Sequence, residues 1–391
     1  MSGSGSGRGG DAVGSGRSRA RLAGRLVVAL GLLGGLAGVL SSAPGSAAVA
    51  AGAPCDTSAL LAATPDTALD NLFQNYGNAG QGTTWTGGDG TESVAVPGGT
   101  ELWLFNDSVL GVVTDGTRVF KKTPYIHNSI VVQSGGVLTR TYYTHRTNRP
   151  TAYLNPRPAH PFQYAFWPGA TVVSGSSLQV LGTLQKFNRA GIPTQIGQAF
   201  ATFRLPDLKR TSLTTKVATA VDWPDGVPLV EGGYTYLYGN SLRGVEVARV
   251  SGTNLAAPWS YYDGSGWTAN AARAATIESA NPLGYFSISD VGGTYVFVAK
   301  VSLTSDEIVA AVGCSPVGPF GPLQNVYATP EEARYPTSDG VEVYGAHAHP
   351  ELGAPPGSVV VSYDVNPKGP KELDVPDATI YRPRFLYLSV G

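Results

Sequence analysis

Charge is scarce in this sequence. Only 14% of the 391 residues are charged, and 27 basic side chains nearly balance 28 acidic ones, for a formal net charge of −1. A chain so balanced has no basic field to hold nucleic acid or an anionic membrane surface, and neither partner is expected. Cysteine is scarcer still. Cys55 and Cys314 are the only two, with no metal-site spacing. Helix-forming runs are few, residues 56–75 being the one plausible stretch, with Leu60, Leu61, Leu69 and Phe73 as its apolar positions. A P-loop, a dinucleotide fingerprint and a Ser-His-Asp spacing are all missing, so nucleotide and triad chemistry have no anchor here. No cofactor is expected.

What the chain has in excess is glycine, 51 residues, and tyrosine, 19, which suit a turn-rich β protein. The first fifty residues read differently. Arg17, Arg19, Arg21 and Arg25 precede the apolar run Leu26 to Leu40, and Ala48-Val49-Ala50 offers a small-residue cleavage site. The run is too short and too rich in small residues for a membrane span. Residues 1–50 are therefore expected to be a secretory signal peptide. The mature protein, from about Ala51, is expected to be extracellular, monomeric and free of the membrane. An oxidising compartment permits a Cys55–Cys314 bridge; two unpaired thiols are the alternative.

One stretch organises the rest. Ser93 to Val96 and Glu101 to Phe105 alternate in polarity on either side of Pro97-Gly98-Gly99, the pattern of a β-hairpin. A turn centred between Gly98 and Gly99 sets Asp89 opposite Ser108 and Asp107 opposite Gly90. Two distant carboxylates then meet at the open end of the hairpin, beside Gly87, Gly88 and Gly90, which would admit a ligand closely. Asp89 could instead simply shape a turn.

The same hairpin returns around Gly175, Gly233, Gly293 and Gly357, each time followed by a second strand pair. Four strands per repeat at near-constant period predict an all-β fold, a five-bladed β-propeller with four antiparallel strands per blade. Residues 51–84 are read as a lead-in and 85–391 as the propeller. The insertion 139–161, rich in Pro, Arg and His, reads as a loop on one face.

In a propeller, polar residues at the start of the first strand and the end of the second converge on the channel mouth. That rule collects Asp89, Asp107, Asn240, Lys300, His347, His349 and Asp364, with Trp85 and Trp167 nearby. Carboxylates ringed by aromatics suit sugar chemistry, because rings stack on aromatic faces and two carboxyls handle the glycosidic bond. His347, His349 and Glu351 alternate along one strand. Lacking a further ligand from elsewhere, they are expected to orient substrate rather than hold a metal.

GGDGTESVAVPGGTELWLFNDSVLG, Ile126 to Gln133, Tyr344 to Leu352, Val361 to Asn366 and the terminal YRPRFLYL resemble a family of secreted bacterial propellers. That family was long catalogued as a domain of unknown function, and some members are assigned as endo-D-arabinanases. The resemblance covers about residues 75–388. It implies an acidic site at the channel mouth, with Asp89, Asp107, His349, Glu351 and Asp364 as site residues. Trp167-Pro168-Gly169-Ala170 departs from it, since an acidic residue is expected near Ala170. The leading expectation is a glycoside hydrolase cleaving a furanose-containing cell-wall polysaccharide. Catalysis falls to Asp89, Asp107, Glu351 and Asp364, with Asp89 as base or nucleophile and Glu351 or Asp364 as acid. Trp85, His349, His347, Trp167, Asn240 and Lys300 would bind substrate. The alternative is a non-catalytic propeller that binds glycans or cell-envelope partners.

Overall fold

The computed structural model describes residues 56–118, 124–216, 220–335, 340–368 and 377–391. The expected signal peptide and Cys55 lie outside them. Cys314 is disulfide-bonded.

Glycine turns between runs of alternating apolar residues produce antiparallel strand pairs. Among the described residues these assemble into five sheets of four or more strands, and the chain is all-β. The first sheet holds Glu92–Val96, Thr100–Phe105, Ser129–Ser134 and Val137–Tyr142. Tyr164–Ser174, Ser177–Phe187, Pro193–Arg204 and Lys209–Lys216 make the second. The third is built on Tyr234–Ser241 and Gly244–Ser251, and the fourth on Phe286–Val291, Thr294–Ala299, Glu307–Gly313 and Gln324–Ala328. The fifth takes Val341–His349, Ser358–Pro367 and Arg384–Val390 from the end of the chain, then Leu61–Pro65 from its beginning.

That last strand corrects the expected helix. In this part of the chain the helix is confined to Thr67–Asn78, capped by Asp66, whose Oδ1 accepts from the amides of Ala68 and Leu69 at 3.1 Å. Leu61–Pro65 instead pairs with Arg384–Val390, Leu61 opposite Val390 and Pro65 opposite Leu386. Pairing with the free edge of Arg384–Val390 overrides the good helix propensity of Leu61, Ala62 and Ala63, a local preference that tertiary contacts readily outweigh. Residues 61–78 are thus built into the β structure rather than leading up to it.

The innermost strands touch in cyclic order. Glu92–Val96 packs on Tyr164–Ser174, which meets the turn Trp223–Asp225 and the strand Gly226–Val227. Gly226–Val227 pairs in parallel with Phe286–Val291, which packs on Val341–His349, and that strand returns to Glu92–Val96. Each pair of successive sheets encloses its own apolar cluster: Leu104 with Phe166, Ala170 with Leu237, Tyr238 with Phe286, Val298 with Val343. The cluster between the fifth and first sheets is aromatic. Helix residue Phe73 is edge-on to Trp85 and Trp103 and stacked on Phe385, with centroids 4.9–5.7 Å away. Trp85, expected to face a sugar, is fully buried there.

Candidate active site

The site starts from the hairpin turn. Gly98 and Gly99 carry φ of 98° and 70°, a conformation open to glycine, and the loop of Pro97, Gly98 and Gly99 is centred on Gly98. Glu92 therefore faces Leu104 and Val96 faces Thr100, one residue away from the expected register. Continued outward, this pairing sets Asp89 opposite Asp107, whose carbonyl accepts the Asp89 amide at 3.4 Å. The flanking glycines serve the chain itself rather than a ligand. A Cβ on Gly87 would lie 2.4 Å from the Tyr381 carbonyl, and one on Gly90 2.3 Å from Asn106 Nδ2.

Each carboxylate is held by its own donors. Asp107 Oδ1 accepts from His127 Nδ1 at 2.8 Å and from Trp167 Nε1 at 3.0 Å, and its Oδ2 accepts from the Tyr125 hydroxyl. His127 is itself stacked on Phe187 at 4.3 Å, which fixes the imidazole plane. Asp89 accepts from Tyr344 at Oδ2 and from Tyr381 at Oδ1, the latter at 3.3 Å. Burial, then the charges of Asp107 and Asp364, push the Asp89 carboxyl well above its usual range, and the two tyrosines only partly offset this. Asp89 thus holds its proton above the ordinary carboxyl range. Tyr381 reaches both residues from a left-handed backbone, φ 68°, donating also to the Asp107 carbonyl at 2.9 Å. Such strain in a bulky residue persists only where its surroundings over-determine it.

Both carboxyls line a cleft of about 990 Å³. A third lines it with them: Asp225, at the end of the turn Trp223–Asp225 that joins Val221–Asp222 of the third sheet to Gly226–Val227, paired into the fourth. Burial, with a smaller push from Asp222, raises its carboxyl to about 7. Trp167, Phe187, Phe162, Tyr285 and Tyr344 supply the aromatic wall. The arrangement offers a proton held near neutrality on one side and a paired, donor-rich carboxylate on the other, the division of labour that acid–base chemistry needs.

Of the residues picked out in the sequence, Asp89, Asp107 and Trp167 line the cleft. The others lie elsewhere. Asp364 is buried behind Asp89, accepting from the Gly90 amide at 2.8 Å and Thr91 Oγ1 at 2.7 Å, and burial pushes it to about 7. Glu351, also raised to about 7 by burial, takes the Ser93 hydroxyl. His347 sits between the carbonyls of Gly345 and Thr91, and His349 between the hydroxyls of Ser93 and Ser362; both are buried and outside the cleft. The fifth sheet's inner strand begins at Val341, six residues before His347, and its pairing shifts between Tyr344 and His347, where Gly345 has φ 64°. Tyr344 is thereby aimed at the cleft and the histidines away from it. Asn240 donates to the Pro282 carbonyl and buried Lys300 to that of Ser305. The segment through Leu283 covers these strand ends, and Leu283, Gly284 and Leu303 line the cleft in their place. Among the described residues no group of three or more His, Cys, Asp or Glu could hold a metal ion. Tyr125, His127, Asp225, Tyr344 and Tyr381 join the cleft without a pattern of their own in the sequence. Only the Asp-Gly pair after Trp223 signalled Asp225, and it reads equally as a turn.

Residues 70–389 match the family model described as "Domain of unknown function (DUF5005)". The chain belongs to this family. This DUF5005 protein resembles a solved structure from Bacteroides ovatus ATCC 8483 whose name proposes a hydrolase. The two are 22% identical with a TM-score of 0.68, over 84% of this chain and 90% of that one. That likeness is one of fold. More distant are an exo-β-1,3-galactanase from Phanerochaete chrysosporium (13% identity, TM-score 0.44, 77% and 60% covered) and an α-L-arabinofuranosidase from Podospora anserina (12%, 0.41, 80% and 93%). Comparison with curated protein sequences finds no match.

Proposed function

We infer that this DUF5005 protein is a secreted glycoside hydrolase, its five sheets the blades of a β-propeller and its substrate a furanose-containing cell-wall polysaccharide, with D-arabinan the first choice. One observation supports the reading above others: Asp89, Asp107 and Asp225 line one aromatic-walled cleft, the first two beside the first-sheet hairpin and the third from the turn Trp223–Asp225. In the proposed mechanism Asp225 donates its proton to the leaving oxygen. Its carboxyl is poised near 7, and no hydrogen bond ties it down among the described contacts. The Asp89 and Asp107 carboxyls lie across the sugar ring, where they stabilise the oxocarbenium-like transition state and activate water. Trp167 and Phe187 give the ring a face to stack on.

The test is direct. The mature protein is incubated with D-arabinan, L-arabinan and xylan, and released oligosaccharides are measured. Release from at least one, abolished at least about a hundredfold by Asp89→Asn, is the expected result. Binding with no release from any of the three would replace the hydrolase with a glycan-binding propeller.

A further inference from the structure

The charges around the cleft are segregated. Residues 116–206 contain no Asp or Glu and ten Lys or Arg, in a chain that is otherwise balanced. This stretch folds into the outer strands of the first sheet, the hairpin Thr144–Arg146/Arg149–Thr151 and most of the second sheet. Two of its arginines reach the cleft. Arg149 comes from the hairpin, its guanidinium 4.4 Å from the Phe162 ring centre; Arg189 comes from the turn between Ser177–Phe187 and Pro193–Arg204. Both are exposed, and neither has a carboxylate partner among the described residues. The cleft's four carboxyls come from other segments: Asp89 and Asp107 beside the first-sheet hairpin, Asp225 from the turn Trp223–Asp225 and Glu342 from the fifth sheet. The cleft's arginines and its carboxyls thus come from different parts of the chain.

A second cavity, of about 580 Å³, adjoins the same insertion: Pro161 lines it while Phe162 lines the cleft. Its charged lining is Arg146, Lys209 and Arg210, joined by His145, with no acidic residue. Arg146 Nη1 donates to the Ala159 carbonyl at 2.8 Å and Arg210 Nη1 to that of Asn155 at 3.2 Å. Those bonds steady each fork and leave its other N–H groups for a ligand. Asp207, next along the chain, is paired with Arg204 instead. An ordinary solvated face mixes signs. Here several structural elements free of acid meet at two neighbouring cavities, which is how a protein builds a receptor for anionic oxygen.

We propose that the polysaccharide bound in the cleft carries anionic substituents on its sugar backbone: Arg149 and Arg189 take a carboxylate or phosphate group of the glycan, and the second cavity takes a further one along the chain. The inference rests on the reading of the cleft as a glycan site, though not on hydrolysis. It is tested by binding. Isothermal titration compares neutral D-arabinan and neutral xylan with glucuronoxylan, a carboxylate source, and with a phosphodiester-linked wall glycopolymer, a phosphate source. One or both anionic chains should bind at least about tenfold more tightly than the neutral ones, with an advantage that shrinks as salt is raised. Whichever anionic arm wins names the substituent. The double variant Arg149→Ala/Arg189→Ala should lose about tenfold on that chain and little on neutral glycan. Arg146→Ala/Arg210→Ala should weaken long anionic chains but not short ones. All four side chains are mostly exposed, and an unchanged melting temperature would show the fold intact. Equal affinity for neutral and anionic glycans, or an Arg149/Arg189 variant that binds the anionic chain as well as the parent does, would overturn the proposal. Anionic binding without product release would sink the hydrolase and leave this inference standing. Release from arabinan with no anionic preference would do the reverse.

Discussion

The Tyr344 hydroxyl, on the inner strand of the fifth sheet, donates to Asp89 Oδ2 at the mouth of the first-sheet hairpin, 255 positions away in the chain. The contact ties the last sheet to the first at the point where the cleft is most acidic. It is also one of two hydrogen bonds that favour the ionised form of Asp89 against burial and two neighbouring charges.

Removing that donor should raise Asp89 further. In Tyr344→Phe, Asp89 keeps its proton to still higher pH, because a contact that lowers its affinity for the proton is gone. The acidic limb of the pH–rate profile is expected to shift upward, with turnover on that limb lower by about tenfold. An unmoved limb would mean that Asp89 does not titrate in the rate-determining step.

Asp225→Asn removes a proton donor while keeping the shape. Turnover should fall at least about a hundredfold, and the alkaline limb near pH 7 should disappear, since an amide has no proton to lose. A variant that keeps that limb would transfer the acid role to another carboxyl.

Stability should decline as pH rises. Asp225, Asp364 and Glu351 are raised to about 7 and Asp70 to about 6, each mainly by burial, so the folded chain keeps protons that the unfolded chain has already released. Their contribution is complete below the ordinary carboxyl range near 4 and is lost as pH climbs to about 7. Buried His347, depressed to about 4, acts in the opposite sense between 4 and 6.5, and His349, also depressed by burial, does so below 6.5. The carboxyls outnumber them. Scanning calorimetry should therefore give a higher melting temperature at pH 5 than at pH 8, and in Asp225→Asn the difference should narrow. A melting temperature that rises from pH 5 to pH 8 would contradict this balance.

Gly169→Ala tests the seam between the second and third sheets. Its Cβ would lie 2.1 Å from the Pro224 carbonyl, a backbone atom that cannot swing aside. Chemical denaturation should show a loss of at least about 2 kcal/mol. Because Pro224 precedes Asp225, catalysis should suffer as well. A variant as stable as the parent would mean that the seam yields.

The recurrent glycine turns and period-two runs were enough to mark the hairpins, their order and the all-β class, because both signals are local: a turn needs its own φ values and a strand its own alternation. The meeting of Asp89 and Asp107 was legible for the same reason, to within the one residue by which the turn centre was misjudged. Distant partners were not legible. No local pattern tells Leu61–Pro65 that Arg384–Val390 has a free edge, so a helix was expected where a strand forms. Nor does the sequence reveal the shift at Gly345 that turns Tyr344 into the cleft and His347 and His349 away from it. Asp225 reached the site only through the cyclic packing of sheets, with its carboxyl raised by burial that only tertiary structure creates. Residue types and short-range geometry were written in the chain. Which of its acids share a cleft, and which are buried behind it, depended on contacts hundreds of residues apart.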